Sequence, residues 1–452
     1  MRDGRADSLA TAREVAAATG QVVEAAGEAA FGAHLVAARF RLGNGLTVVL
    51  ASNRRAPIFA YQTWFRVGSK DEDPNATGLA HLFEHLMFKG TRRHPVGAFD
   101  REMERRGAQT NAATWVDWTY YTQALAARDD NLATVIAFEA DRMHNLVLDQ
   151  QTFASELEVV KNERRMSVED SVTGELSEVL MAEAFRHHPY RWPTIGSMEH
   201  LRSARVADLE AFYRRFYSPA NAAVVVVGDI DWRPTLTAIA TAYGLLAAAQ
   251  PGHRTLPKEP PQRQPRHRVL HRSVTAPQML VGYRAVAEHE PDFPALQMLM
   301  EVLVAGDAAR LYQRLVIDQE VASEVTGSVH PFAEPGLCEF YLALRPGVDG
   351  ERALALLQEV LDDLGGDGPT AVEVDKARHG LELSVVETLS DVEGCAEALG
   401  HFESTQRDCA AAFRQAERLA QVVAADLVRV AQQTFRAAGR TSVLALPRSL
   451  AA

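Results

Sequence analysis

The chain has few cysteines and no long apolar run, which argues against a disulfide-rich protein and against a membrane-spanning one. Only Cys338, Cys395 and Cys409 occur among 452 residues, too few to indicate a disulfide framework. No stretch of about 18 consecutive apolar residues is present, so we expect no membrane-spanning helix. Residues 1–35 lack the apolar segment of a secretory signal and contain acids that are atypical of a mitochondrial presequence. The sequence therefore predicts a cytoplasmic protein that begins with a poorly ordered or loosely helical extension.

An excess of basic residues is also lacking. The chain has 47 Lys and Arg against 59 Asp and Glu, giving a net charge of −12 that is spread along its length. This balance argues against nucleic acid as a partner. The length predicts two or three domains, and a hydrophobic content of 47% is sufficient to build their cores.

The most informative segment contains two histidines and a glutamate at metal-binding spacing. On a helix, His81 and His85 lie four residues apart and share a face, where two imidazoles can bind one Zn²⁺. Glu84 stands beside them in the order H-x-x-E-H, which is the inverzincin signature. Thr77 is the expected N-cap of this helix, and Gly90 is its expected end. The alternative is a core helix with two buried, hydrogen-bonded histidines.

A third protein ligand is needed, because hydrolytic zinc sites commonly use two histidines, one carboxylate and a water. The segment Thr152–Met166 is predicted to be a helix in which Glu156 and Glu163 are two turns apart and share a face. Glu158 falls elsewhere on this helix. Taken alone, these carboxylates are better explained as a solvated helix face.

Several segments resemble the pitrilysin-like metallopeptidases, which include pitrilysin, insulin-degrading enzyme and the processing peptidases of mitochondria and bacteria. The similarity covers nearly all of residues 36–450 and is stronger in the first half. The matching segments are His81–Thr91, the pair Glu156 and Glu163, Gly107–Thr114, His188–Tyr190 through Gly196, Phe212–Tyr213, and Tyr217–Pro219 through Asp229.

The resemblance implies roles for individual residues. His81, His85 and Glu163 would hold one zinc ion per chain, since Glu163 follows His85 by a fitting distance (163 − 85 = 78). Glu84 would act as the general base, and Glu156 would be an outer residue that orients a ligand. Asn111 and Ala112, on an edge strand beside the metal, would bind the substrate backbone. Their alternative is an ordinary pair of sheet residues.

Strand and helix signals alternate along both halves of the chain, which indicates an α+β fold. We predict two similar domains, each a mostly antiparallel sheet packed with helices, that form half of a clamshell. The predicted organisation is an extension (1–35), a zinc-binding catalytic domain (36–248), a proline-rich linker (249–266) and a homologous non-catalytic domain (267–452). Asn44-Gly45 predicts a β-hairpin in the first domain.

The second half repeats the pattern without the ligands. Aligning Gly306 with Gly90 places Gln297, Met300 and Glu301 at the positions of His81, Glu84 and His85. Pitrilysin-like enzymes usually supply an Arg and a Tyr, seven residues apart, from this half to hold the substrate. The same alignment here gives Val316 and Ser323, and the nearby Arg310 and Tyr312 have the wrong spacing.

The sequence thus predicts a zinc endopeptidase that hydrolyses peptides or unfolded segments inside a chamber closed by a second, related subunit. We expect a heterodimer whose partner supplies the Arg and Tyr, or otherwise a homodimer. The alternative is a non-catalytic core or assembly subunit of the same fold.

Overall fold

The computed structural model describes residues 7–128, 130–249 and 255–448, which form two compact units that are interleaved in the chain. Unit 1 comprises the chain up to Lys161 together with Thr194–Thr255 and Val386–Arg414. Unit 2 comprises Asn162–Pro193, Leu256–Val385 and the chain from Gln415 onward. Each unit is therefore assembled from both halves of the sequence.

Unit 1 contains a seven-stranded mixed sheet. Its strands are β1 (Val23–Phe31), β2 (Leu35–Leu42), β3 (Thr47–Ser52), β4 (Ile58–Phe65), β5 (Gln109–Thr114), β6 (Thr119–Ala126) and β7 (Ala222–Gly228), in the spatial order β1-β2-β3-β7-β4-β6-β5. Only β3 and β7 pair in parallel. Asn44-Gly45 joins β2 to β3 as predicted, and Gly45 has a φ of 89°, a conformation that glycine adopts without strain.

The helices of unit 1 pack on this sheet and around the segment that precedes β7. They are α1 (Ser8–Thr19), α2 (Leu79–Leu86), α3 (Ala98–Arg106), α4 (Asn131–Asn145), α5 (Gln150–Arg164, the last turn being assigned to unit 2), α7 (Met198–Ser203), α8 (Val206–Phe216), α9 (Trp232–Tyr243) and α13 (Val392–Gln406).

Unit 2 contains a five-stranded mixed sheet in the order β10-β11-β9-β12-β8. Its strands are β8 (Arg266–Arg272), β9 (Gln278–Arg284), β10 (Ala322–Val329), β11 (Leu337–Leu344) and β12 (Arg440–Pro447). Its helices are α6 (Val172–Ala184), α10 (Phe293–Val304), α11 (Gly350–Gly366), α12 (Ala371–Ser390, whose end is assigned to unit 1), α14 (Ala411–Ala420, whose start is assigned to unit 1) and α15 (Ala424–Thr434).

The two sheets share one topology. The order β3-β7-β4-β6-β5 in unit 1 corresponds to β8-β12-β9-β11-β10 in unit 2, and the single parallel pair occupies the same place in both. In each unit a helix, α2 or α10, connects the central strand to the edge strand. The predicted α+β fold with two similar, mostly antiparallel domains is confirmed.

Each sheet is covered by one helix that comes from the other half of the sequence. Helix α6, from the first half of the chain, lies on β9 and β12 of unit 2. Helix α13, from the second half, lies on β4 and β7 of unit 1, where Gly400 approaches Trp64 so closely that no larger residue would fit. Since β4 and β7 correspond to β9 and β12, the exchange is reciprocal. Sequence periodicity identifies such helices but does not indicate which sheet they cover.

The first 35 residues contain more regular structure than the sequence analysis expected. After α1, the segment Val23–Phe31 forms β1 and pairs along its length with β2. Buried Ala12 and Val15 attach α1 to the core of unit 1. The expectation of a poorly ordered or loosely helical segment was wrong for β1, because long-range pairing stabilises a strand that its Ala-rich sequence does not favour. Residues 1–6 lie outside the described part of the chain.

Residues 250–254 of the predicted linker also lie outside the described residues, and 255–265 form neither helix nor strand. None of the helices in the described residues is long and apolar enough to cross a membrane.

Candidate metal centre

Helix α2 carries the proposed metal-site residues on one face and core residues on the other. Its buried side is made of Leu79, Leu82, Phe83 and Leu86, which anchor it in the apolar core of unit 1. His81, Glu84 and His85 are only partly buried. The His81 and His85 rings are 4.8 Å apart between centroids and nearly perpendicular, at 76°. The helical spacing therefore directs both imidazoles to the same side.

Helix α5 brings a carboxylate to these two rings. Glu163 lies near the end of this continuous helix, and one ligand atom each from His81, His85 and Glu163 lies within 4.8 Å of the other two. A metal ion needs about three such side chains close together. Among the His, Cys, Asp and Glu residues that the structure describes, His81, His85 and Glu163 form such a group. Two imidazole nitrogens and one carboxylate oxygen are the donor set of hydrolytic zinc sites, so the residues fit zinc.

Glu156 lies behind the proposed ligands rather than among them. Its side chain is 11% exposed, and its Oε2 is 3.7 Å from Nδ1 of His85. The other oxygen, Oε1, is 2.9 Å from Nζ of Lys89. Glu158 extends from another face of α5, is largely exposed and pairs with Lys161. The structure thus distinguishes three glutamates that the sequence places on one helix.

The amino end of α2 is capped by a residue that the sequence analysis missed. The expected N-cap, Thr77, is not at the N-cap position. Gly78 occupies that position with a φ of 91° and has no side chain to bond the helix. Instead the carboxylate of Glu72 accepts hydrogen bonds from the backbone N–H groups of Gly78 and Ala80, at 2.9 and 2.7 Å. Glu72 is 2% exposed, and its burial raises its pKa to about 8. A capping acid nine residues before the helical motif gives no local sequence signal.

Thr77 has a different partner. Its hydroxyl lies 2.8 Å from Nδ1 of His200 and accepts a hydrogen bond from the backbone N–H of Ser197. Gly78 also meets the segment before α7, since a Cβ at Gly78 would be 2.7 Å from the carbonyl oxygen of Ile195. These contacts fix the start of α2 against a segment more than 100 residues later in the chain.

Two buried tyrosines face Glu84 from the sheet side. The hydroxyls of Tyr121 and Tyr217 are 3.1 Å apart, and Tyr217 packs on Phe83 at 4.2 Å between ring centroids. Burial raises the pKa of each tyrosine, and the negative charge of Glu84 raises it further. Both phenols are therefore neutral at neutral pH.

Strand β5, which carries Asn111 and Ala112, is the outermost strand on the α2 side of the sheet. Asn111 is exposed and pairs with Thr122, while Ala112 pairs with Tyr121. In the described residues β5 pairs only with β6, so its second edge can accept another strand.

Profiles of known protein families match both halves of the chain. Residues 47–197 match the profile described as insulinase (peptidase family M16), and residues 203–381 match the profile described as the peptidase M16 inactive domain. The chain is 28% identical over 412 residues to "Zinc protease PqqE" of Helicobacter pylori, covering 90% of this chain and 92% of that one. It is 24% identical over 375 residues to a probable mitochondrial-processing peptidase subunit beta of Arabidopsis thaliana, covering 79% and 68%.

Solved structures show the same fold. A protease from Helicobacter pylori superposes with a TM-score of 0.85 at 26% identity and covers 94% of this chain and 99% of that one. The periplasmic protease PqqL from Escherichia coli, at 20% identity and a TM-score of 0.74, shares the fold over 93% of this chain and 48% of its own. From the two family matches and these relatives, the chain belongs to the pitrilysin-like peptidase family M16.

Proposed function

We propose that this protein is a zinc-dependent endopeptidase that hydrolyses peptides or unfolded segments. The observation that supports the proposal is the group formed by His81, His85 and Glu163, with Glu84 on the same helix as both histidines. A protein that kept this fold only for assembly would have no need of four chemically matched side chains in one place. Relatives named zinc proteases support the same activity.

The residues divide the reaction between them. His81, His85 and Glu163 would hold zinc, which when bound lowers the pKa of a water molecule toward neutrality and polarises a carbonyl oxygen. Glu84 accepts the proton of the attacking water and can pass it to the leaving amine. Tyr121 and Tyr217, as neutral hydroxyls, do not compete with Glu84 for that proton.

Strand β5 provides the binding surface for the substrate backbone. An extended peptide that pairs with the free edge of β5 would continue the sheet of unit 1 by one strand, with Asn111 and Ala112 at the contact. Backbone pairing is independent of side chains, which suits an enzyme for unfolded segments.

Replacing Glu84 separates proton transfer from metal binding. Glu84→Gln is nearly isosteric but cannot accept the proton, so we expect zinc to remain bound while kcat falls by at least 10²-fold. Elemental analysis and hydrolysis of a quenched fluorescent peptide measure the two quantities. Glu301→Gln on α10, the corresponding helix of unit 2, is the matched control and should leave both unchanged. Near-normal hydrolysis by Glu84→Gln would contradict the role of Glu84 in the proposed mechanism.

We further propose that a homologous subunit completes the site. In unit 2, Val316 packs in the core and the hydroxyl of Ser323 donates to the carbonyl of Ala343. Arg310 is held by Glu373 through two hydrogen bonds, at 2.7 and 2.8 Å. Val316 and Ser323 therefore lack the groups that an Arg and a Tyr would offer a peptide, and Arg310 is engaged by Glu373.

The purified chain alone should therefore bind zinc but cleave peptides slowly, because positioning of the substrate contributes several kcal/mol to catalysis. Adding a homologous subunit with an Arg and a Tyr seven residues apart should raise kcat/KM by orders of magnitude, and mutating either partner residue should remove the gain. Full activity of the isolated chain, unchanged by any such partner, would favour the homodimer.

A further inference from the structure

Lys89 lies three residues beyond the end of α2 and contacts the carboxylate that approaches a proposed zinc ligand. Its Nζ is 2.9 Å from Oε1 of Glu156, while Oε2 of the same carboxylate is 3.7 Å from Nδ1 of His85. The side chains of Lys89 and Glu156 are 26% and 11% exposed. One carboxylate is thus divided between an ammonium group and the ring of a ligand.

Glu156 needs this counter-charge because it is nearly buried. An ionised carboxylate removed from water requires a cation or several hydrogen-bond donors. Lys89 is the cation that ion-pairs with it. The pair also lies at the carboxyl end of α2, where a positive charge is favoured by the helix dipole.

The same pair bears on which glutamate binds the metal. Glu156 and Glu163 lie two turns apart on one face of α5, so both carboxylates point toward the two imidazoles. In the described residues only Glu163 belongs to the group whose ligand atoms lie within 4.8 Å of one another. A zinc ion that recruited Glu156 would compete with Lys89 for the charge of the same carboxylate.

We infer that Lys89 is a positioning residue, which keeps Glu156 directed at the Nδ1 side of His85 and out of the zinc coordination. The inference rests on the proposed zinc site. Residues that orient a ligand in this way typically change metal affinity 10- to 100-fold when they are replaced. Lys89 would act through Glu156 and would not touch the zinc ion or the substrate.

The experiment compares Lys89→Met with Lys161→Met. Lys161 forms an ion pair of similar length, 2.8 Å to the largely exposed Glu158 on another face of the same helix, and is the matched control. Zinc affinity is measured by competition with a chelator, and the ligand set by the visible absorption of the Co²⁺-substituted protein. We expect Lys89→Met to weaken zinc binding at least 10-fold and to alter the cobalt spectrum. Lys89→Arg and Lys161→Met should remain within about 3-fold of the wild type.

A double-mutant cycle tests whether Lys89 acts through Glu156. Once Glu156→Gln has removed the carboxylate, adding Lys89→Met should change zinc affinity by less than 2-fold. The reason is that Lys89 would then have lost the group through which it acts. Additive effects, or a Lys89→Met affinity and spectrum equal to those of Lys161→Met, would overturn the inference. A wild type that binds zinc no more tightly than His81→Ala would overturn the proposed function with it, so the two failures are distinguishable.

Discussion

Helices α2 and α10 occupy the same place in two sheets of the same topology, yet in the described residues only α2 carries proposed metal ligands. In α10, nine of twelve residues are buried, including Met300 at the position that aligns with Glu84. In α2, five of eight are buried, and the remaining face holds His81, Glu84 and His85. The scaffold therefore tolerates an apolar helix as readily as one that carries the proposed metal ligands. Fold and function are separable here, and function must be argued from the side chains.

The largest expected effect tests whether α2, and not α10, carries the histidine ligands of the metal. His81→Ala should abolish stoichiometric zinc binding and peptide hydrolysis together, since two remaining ligands hold zinc weakly. Gln297→Ala, at the corresponding position of α10, should change neither. Elemental analysis after dialysis gives the zinc content. Zinc kept at full occupancy in His81→Ala would place the ligands elsewhere and end the distinction between the helices.

The exchanged helices differ in how they are attached. Helix α13 is held on the sheet of unit 1 by Glu403, which is fully buried and accepts hydrogen bonds from Arg39 and Arg66 at 2.8 and 2.9 Å. Helix α6 is held on the sheet of unit 2 by the pair Glu175 and Arg272, both partly exposed. Removing one partner of a buried ion pair costs far more than disrupting a surface pair.

Glu403→Gln should therefore lower the free energy of local unfolding of α13 by roughly 3–5 kcal/mol. Glu175→Gln should cost α6 about 1 kcal/mol or less, because solvent screens that pair. Hydrogen–deuterium exchange of peptides from the two helices measures both quantities without assuming that two units unfold together. Equal costs would show that the buried pair is not what fixes α13.

Much of this architecture could be predicted from local sequence, and the rest depends on distant contacts. The spacing of His81 and His85 predicted α2 from a local signal, whereas β5 was expected from the resemblance of Gly107–Thr114 to an edge strand. The repeat between the halves was recognisable because corresponding strands keep their spacing. The sequence could not indicate β1, whose Ala-rich segment is stabilised only by pairing with β2.

The candidate site divides in the same way. The three proposed ligands were suggested by a motif and a resemblance, and the structure brings them together. Lys89 and Glu72 were missed because their partners are set by packing: Glu156 lies 67 residues after Lys89 (156 − 89 = 67), and Glu72 folds back on α2. An acid and a base separated in sequence are ordinary surface residues until a fold joins them.

The smallest expected effect concerns the acids at the amino ends of α2 and α10, which are perturbed in opposite directions. Burial raises the pKa of Glu72 to about 8, whereas hydrogen bonding to Arg429 lowers the pKa of Asp292. With a raised folded-state pKa, Glu72 binds its proton more tightly in the native protein. The stability that Glu72 contributes to the folded protein is thus complete below its unfolded pKa near 4.5. That stability is lost as the pH rises toward 8. Asp292 contributes above its unfolded pKa near 3.8, and that contribution is lost as the pH falls through its lower folded pKa.

Between pH 5 and 9, metal-free wild-type protein should therefore lose stability at α2 relative to Glu72→Gln, while the difference at α10 between wild type and Asp292→Asn stays constant. Below pH 4 the α10 difference should shrink and the α2 difference should not. Hydrogen–deuterium exchange of peptides from both helices, with rates corrected for the intrinsic effect of pH, gives the two profiles. A wild type that gains stability at α2 between pH 5 and 9 would show that the two N–H groups of the helix outweigh burial. Glu72 would then be ionised in the native protein, and a carboxylate of the same charge would lie at the amino end of both α2 and α10.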